Sequence, residues 1–202
     1  MDKKSTPVVL RPPNSTEHPD YSPPPMSFLE GKWHVTHSTL PMWKSKRNVT
    51  ITYTLLEPSN KSIPKDQTDR IDDVVTYQTF TSDKVSTVHG VDKAAHGTRR
   101  DAWDWRGKGF LMVASSHWQI LGYGHESTEP GQNANSERNA WVVTFFAKTM
   151  FTPAGIDVYS RSKRGLNPLI VQKIENALSK VESEEIRELS KGLFSVKMSG
   201  VD

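Results

Sequence analysis

Apolar and polar residues alternate along most of the chain after residue 33, most regularly over residues 48–56. Apolar side chains stand there at positions 49, 51, 53 and 55, with threonines at 50, 52 and 54. A period of two residues is typical of a β-strand with one covered face. Similar runs predict further strands at 33–40, 73–81, 84–91, 101–106, 110–114, 117–123, 140–148 and 156–161.

The period changes after residue 166. Asn167 and Pro168 predict a helix start, with asparagine as the N-cap and proline at the first helical position. Apolar residues then recur at intervals of three and four, which predicts an amphipathic helix over 167–181. A short helix at 184–189 and a short strand at 193–198 follow.

About eight short strands and one late helix predict an all-β fold, an up-and-down eight-stranded antiparallel barrel with a C-terminal α-helix packed outside. The interior of such a barrel holds one small ligand. The alternative is an open antiparallel sheet or sandwich with the same helix outside.

The first 26 residues differ in composition from the rest of the chain. They contain seven of the 13 prolines and almost no large apolar residues. Such a segment buries too little apolar surface to offset its ordering entropy. We therefore expect a disordered or loosely draped arm over 1–26 and a barrel domain over 27–202.

Composition removes several classes of function. The chain has no cysteine, which excludes disulfides, thiolate catalysis and cysteine-based zinc sites. No apolar leader or bilayer-length apolar run occurs, so we expect a cytoplasmic protein without a membrane span. The net charge is +3 with the two signs interspersed, and the one tight basic cluster, 44–47, predicts a hairpin loop, so no nucleic-acid partner is expected.

Two segments resemble lipocalins, a family of calycin barrels. The run Phe28-Leu29-Glu30-Gly31-Lys32-Trp33 is similar to their Gly-x-Trp start of the first strand, and residues 156–161, ending in Ser160-Arg161, resemble their last strand. The resemblance implies that Trp33 plugs the closed end of the barrel and that Arg161 stacks across it. A helix and a short strand from Gly192 also match, whereas residues 48–148 match only by strand count. The whole chain resembles small uncharacterised fungal lipocalin-like proteins.

Several side chains are candidates for the cavity. Trp103 and Trp105 share one face of their strand and would form a flat apolar wall for an aromatic ligand. His37 points inward if Trp33 does, because alternate residues share a face. The candidate ligand-binding residues are Tyr53, Tyr77, Trp103, Trp105, Gln119, Tyr123 and Phe145.

The strand 117–123 allows two orientations. With His117, Gln119 and Tyr123 inward, the pocket gains an imidazole, an amide and a phenol; with Trp118 and Ile120 inward, it is nearly all apolar. The first orientation is expected, because unpaired polar groups facing the outer helix would cost ~1–3 kcal/mol each. His117 and His37 are then the candidate catalytic residues, with His117 the first choice for proton transfer.

Two functions from different classes fit this pattern. The first is binding of a hydrophobic, aromatic or polycyclic small molecule in the barrel. The second is a cofactor-free isomerase or cyclase of secondary metabolism acting on a reactive intermediate in the same cavity. No cofactor or metal is expected, although a histidine-ligated haem is a minor alternative, and the oligomeric state is left open. Two or more titratable side chains converging on the cavity would favour the enzyme, and a uniformly apolar lining would favour the carrier.

Overall fold

The computed structural model describes residues 7–15, 18–95, 99–109, 112–126 and 138–200. Within these ranges, eight antiparallel strands form a closed barrel, which confirms the predicted fold class. The strands are β1 (Gly31–Ser38), β2 (Lys46–Leu55), β3 (Arg70–Thr79), β4 (Ser82–Ala94), β5 (Ala102–Gly107), β6 (Ser115–His125), β7 (Ala140–Phe146) and β8 (Gly155–Ser160).

Each strand pairs with the next, and β1 pairs with both β8 and β2 to close the ring. A ninth, two-residue strand, β9 (Phe194–Ser195), adds to the far half of β1 outside the ring. The predicted strand at 110–114 lies partly outside the described residues, and its remainder, 112–114, leads into β6 as a turn.

Three α-helices accompany the barrel within the described ranges: α1 (Met26–Leu29), α2 (Pro168–Leu178) and α3 (Glu184–Ser190). The Asn167 side chain accepts a hydrogen bond from the backbone N–H of Leu169, which confirms it as the N-cap of α2. The apolar stripe of α2, including Ile170 and Ile174, packs on the outside of the barrel. None of the helices in the part of the chain described is long and apolar enough to cross a bilayer.

Strand β7 separates two hydrophobic cores. Its residues Ala140 and Val142 belong to the interior core, whereas Trp141, Val143 and Phe145 belong to the core beneath α2 and α3. A strand covered on both faces reads as a continuous apolar run, as this segment does.

Two β-bulges change which residues reach the interior. In β1 the register shifts between Val35 and His37, and in β6 it shifts between Ile120 and Gly122. A bulge places two successive residues on one side, so the alternation before it does not continue after it.

The N-terminal arm lies against the barrel in its described parts. The backbone N–H of Arg11 donates to the carbonyl of Leu121 at 2.8 Å, and Leu10 is 8% exposed. The Arg11 guanidinium lies 3.4 Å from the Asp101 carboxylate, with both side chains 1% exposed. This packing differs from the loosely draped arm that the composition predicts, and it rests on a few polar anchors rather than on an apolar stripe.

Candidate functional site

The end of the barrel beside α1 is sealed by Trp33 and Arg161. Trp33 is fully buried, and its indole N–H donates to the carbonyl of Leu29 at 2.8 Å. The Arg161 guanidinium lies 3.7 Å from the centre of the Trp33 ring. The same guanidinium donates to the carbonyls of Phe28, Glu30 and Lys32, so it ties α1 to the start of β1.

A cavity of about 340 Å³ opens at the opposite end of the barrel. Loops after β1, β5 and β7 surround its mouth, and its wall is mostly apolar. Side chains from these loops and from the inner faces of the strands include Leu40, Trp43, Ile51, Tyr53, Val75, Val88, Trp105, Trp118, Phe146 and Phe151.

Exposed apolar side chains concentrate around this mouth. Met42, Met112, Val113, Met150 and Phe151 are between 45% and 91% exposed, and all belong to the loops at the open end. Large exposed apolar patches mark sites where ligands or partners bind.

An aromatic stack forms the inner wall. Trp118 lies between Tyr53 and Trp103, with ring-centre distances of 5.7 Å and 6.1 Å, and it also stacks on Phe146 at 6.2 Å. These residues come from β2, β5, β6 and β7, so the stack spans the barrel. Flat aromatic walls of this kind bind planar apolar ligands.

Three buried aspartates face this interior. Asp157 accepts hydrogen bonds from the Ser38 hydroxyl at 2.5 Å and from the Trp43 indole at 3.3 Å. Asp92 accepts one from the Trp118 indole at 2.8 Å. Asp73 lines the cavity, and its Oδ1 has no hydrogen-bond partner among the described residues.

Burial sets the protonation of these carboxyls. Desolvation raises the pKa of Asp157 to about 7, although the hydrogen bonds from Ser38 and Trp43 oppose it. Desolvation likewise raises the pKa of Asp92 to about 7 and that of Asp73 well above its ordinary value, where the nearby Asp92 adds to the effect.

Two buried phenols connect the aspartates electrostatically. Burial raises the pKa of both Tyr53 and Tyr159, and ionised Asp73 raises each further. The residues that line the described part of the cavity include no lysine, arginine or histidine. Ionisation of the aspartates therefore makes the interior negative, and no side chain on the described cavity wall supplies a positive charge to balance it.

Five sequence-predicted residues point into the barrel. Trp103, Trp105 and Tyr53 belong to the interior, with Trp105 and Tyr53 on the cavity wall. Tyr77 lies near the mouth, with its ring centre 6.0 Å from that of Trp43. Tyr123 lies at the sealed end, where its ring contacts Phe28 at 4.9 Å.

Four other predicted residues lie on the outer surface of the barrel, opposite to the predicted placement. His117 contacts the Asp104 carboxylate at 2.9 Å, and Gln119 accepts from the backbone N–H of Asn14 at 2.8 Å. Phe145 pairs with Gln119 and packs in the outer core.

His37 is the fourth of these residues. It pairs with the outward-facing Val158, because the bulge in β1 turns it away from the face of Trp33. The expected cost of outward polar groups on β6 is avoided because the N-terminal arm supplies hydrogen bonds to Gln119.

The sequence interpretation missed Asp73 and Asp157. The sequence did contain a signal for Asp73, which alternates with Ile71 and Val75 so that all three lie on the inner face of β3.

Within the described ranges, no group of three or more histidine or acidic side chains is arranged to hold a metal ion.

Comparisons with known proteins support the fold. The chain resembles the cockroach allergen Per a 4, with 12% identity and a TM-score of 0.54, over 91% of this chain and 94% of that one. It also resembles the amine-binding protein of Rhodnius prolixus, solved as a tryptamine complex, with 15% identity, a TM-score of 0.50 and coverage of 95% and 85%. The chain therefore has the lipocalin fold, which confirms the resemblance seen in the sequence at the level of architecture.

One relative is similar over nearly the whole chain. Botcinic acid biosynthesis cluster B protein 12 of Botryotinia fuckeliana is 25% identical over 198 residues, covering 93% of this chain and 82% of the relative. No family profile matches the chain.

Proposed function

We propose that this barrel binds a hydrophobic, aromatic or polycyclic small molecule in its cavity. The observation that carries the proposal is a 340 Å³ cavity with an aromatic wall that opens to solvent among exposed apolar side chains. Ligand pockets of this kind are mostly apolar with a few fixed polar groups. Asp73 and Asp157 are those polar groups here.

The relative in Botryotinia fuckeliana indicates the class of ligand. Its name assigns it to a biosynthesis cluster. A ligand from secondary metabolism is therefore our proposal for this chain as well, and its polycyclic character follows from the stacked wall of Tyr53, Trp118 and Phe146.

A fluorescence titration with N-phenyl-1-naphthylamine, a neutral polycyclic probe, tests the proposal. We expect saturable one-to-one binding that Phe146→Ala weakens about tenfold, as loss of a buried aromatic contact predicts. Phe145→Ala is the matched control, because the neighbouring ring faces the outer core. It should lower stability and leave the affinity unchanged. Absence of saturable binding, or equal loss in both variants, would contradict the proposal.

A second candidate function is a cofactor-free isomerase or cyclase. The observation in its favour is that two buried carboxyls, Asp73 and Asp157, line the cavity, and the pKa of Asp157 is about 7. A carboxyl with such a pKa can accept a proton from a carbon next to a carbonyl and return it at another atom.

Hydrogen–deuterium exchange of 2-tetralone in D2O tests this second function. An enzyme should accelerate exchange beside the carbonyl above the buffer rate, with saturation, and Asp157→Asn should remove the acceleration while the probe still binds. A rate equal to buffer, with binding intact, would identify a carrier.

A further inference from the structure

We propose that the ligand carries a protonated amine, and that the Asp73 carboxylate receives it between the rings of Tyr53 and Trp105. This inference rests on the proposed function, because it assigns a chemistry to one part of the same cavity. A general hydrophobic site would accept neutral ligands equally well, whereas the site proposed here favours a ligand with a positive charge.

Asp73 has two aromatic neighbours on the inner face of the barrel. On β3, Asp73 lies directly opposite Tyr53 of β2 and opposite Gly90 of β4. Gly90 leaves a gap that the Trp105 indole fills, since a Cβ at Gly90 would lie only 2.2 Å from the Trp105 Nε1. On the inner face of the sheet, Asp73 therefore has Tyr53 on one neighbouring strand and, over Gly90 of the other, the Trp105 indole.

The Asp73 carboxyl is buried and has an oxygen atom without a hydrogen-bond partner among the described residues. Asp73 is 6% exposed, and its Oδ1 accepts no hydrogen bond from any described residue. Buried polar atoms are normally paired, so an unpaired carboxylate oxygen on a cavity wall can accept a hydrogen bond from a ligand N–H. Asp92 Oδ2 also has no partner among the described residues, but Asp92 is not part of the cavity wall. Of the two aspartates that line the cavity, Asp157 has both oxygens occupied by Ser38 and Trp43, so Asp73 offers the open acceptor.

The charged groups around the cavity favour a cationic ligand. Asp73, Asp92 and Asp157 share the interior, and the described cavity wall has no basic side chain. Burial favours the neutral form of Asp73, and a ligand ammonium would stabilise its carboxylate by a charge-assisted hydrogen bond. The ammonium would also interact favourably with both ring faces. A neutral hydroxyl of equal size provides only the hydrogen bond.

A matched pair of probes tests the inference on the full chain. The amine 1-naphthylmethylamine and the alcohol 1-naphthylmethanol differ only in the charged group, and each can displace N-phenyl-1-naphthylamine. We expect the amine to bind at least about tenfold more tightly at pH 8. Asp73→Asn should reduce this ratio to about one while affinity for the alcohol changes little.

The control is the adjacent residue. Asp72 points outward to Lys108 and His89, so Asp72→Asn should leave the amine preference intact. Equal affinity for amine and alcohol in the unmodified chain would overturn the inference and leave the proposed function standing. Failure of all three probes to bind would overturn both.

A pH series on the unmodified chain gives a second readout that does not depend on a variant. Acidification favours the protonated form of Asp73, whose pKa is raised by burial and by Asp92 and Asp72, and whose carboxylate interacts with the phenols of Tyr53 and Tyr159. Asp92 and Asp157, with pKa values of about 7, also lose negative charge as the pH falls. The amine preference should therefore be weaker at low pH than at high pH, whereas affinity for the alcohol should stay constant. A preference that does not change with pH would contradict the role of the carboxylate.

Discussion

The guanidinium of Arg161 lies 3.7 Å from the centre of the Trp33 ring and covers the indole at the sealed end of the barrel. The pair joins the last strand to the first, and Arg161 also holds the carbonyls of α1 through its hydrogen bonds to Phe28 and Glu30. Removal of either side chain therefore disturbs both the seal and the closure of the ring.

Trp33→Ala should destabilise the barrel by ~3–5 kcal/mol, as expected for loss of a buried indole. Arg161→Ala should cost less, and the two costs should not add, because both substitutions remove the same contact. Urea unfolding of the two single variants and the double variant measures the coupling. Simple additivity would show that the stacking contributes nothing.

Removal of the arm should lower stability, in contrast to the interpretation from composition alone. A chain that starts at Met26 loses the Arg11–Asp101 ion pair and the two hydrogen bonds of Asn14 with Gln119. Among the described side chains, Asp101 then keeps only Arg99 as its basic partner, and Gln119 on β6 keeps only its contact with His117. We expect a loss of at least ~2 kcal/mol in the free energy of unfolding. Thermal unfolding of the two chains side by side gives the answer, and identical midpoints would mean that the arm is only draped.

The buried aspartates should make the fold less stable as pH rises. A carboxyl whose pKa is raised in the folded state holds its proton more tightly there than in the unfolded chain, so folding loses free energy as pH increases from ~4, the unfolded value, to the folded pKa. For Asp157 and Asp92 that folded pKa is about 7.

Asp73→Asn removes one such group, whose pKa is raised by burial and by Asp92. The variant should be more stable than the parent at pH 8, by more than ~1 kcal/mol, and should show little gain at pH 4. Guanidinium unfolding at the two pH values measures the difference. An equal shift at both would point to packing rather than charge.

His117→Ala should leave probe affinity unchanged, because its imidazole contacts Asp104 and Gln119 on the outer surface. Gln119→Ala should also preserve affinity but should lower stability, since this side chain exchanges two hydrogen bonds with Asn14. Fluorescence titration and thermal unfolding of both variants separate the two effects. Loss of binding in His117→Ala alone would place the site outside the barrel.

Periodicity sufficed to predict most strands and the C-terminal helix, since each depends on a local repeat, although residues 112–114 of one predicted strand form a turn. Alternation also placed Trp103 and Trp105 on one face of β5 without determining which face lies inward. The orientation of His37 could not be obtained in this way, because one extra residue in β1 reverses the face without a clear sequence signal. The orientation of Gln119 was predicted wrongly for a different reason, because its partners Arg11 and Asn14, which bury it on the outer face, lie more than 100 positions away along the chain.

The bulge in β6 divides the strand into two segments with opposite parity. Before it, even-numbered Trp118 and Ile120 face the barrel interior; after it, odd-numbered Tyr123 does, while Leu121 and Gly122 both face outward. In an alanine scan along this strand, probe affinity should therefore depend on even-numbered positions before the bulge and on odd-numbered positions after it. The bulge lies where the N-terminal arm crosses β6, because Arg11 and Leu10 contact Leu121 and Gly122. The arm, whose composition predicts disorder, therefore covers the residues at which inward and outward positions on β6 change places.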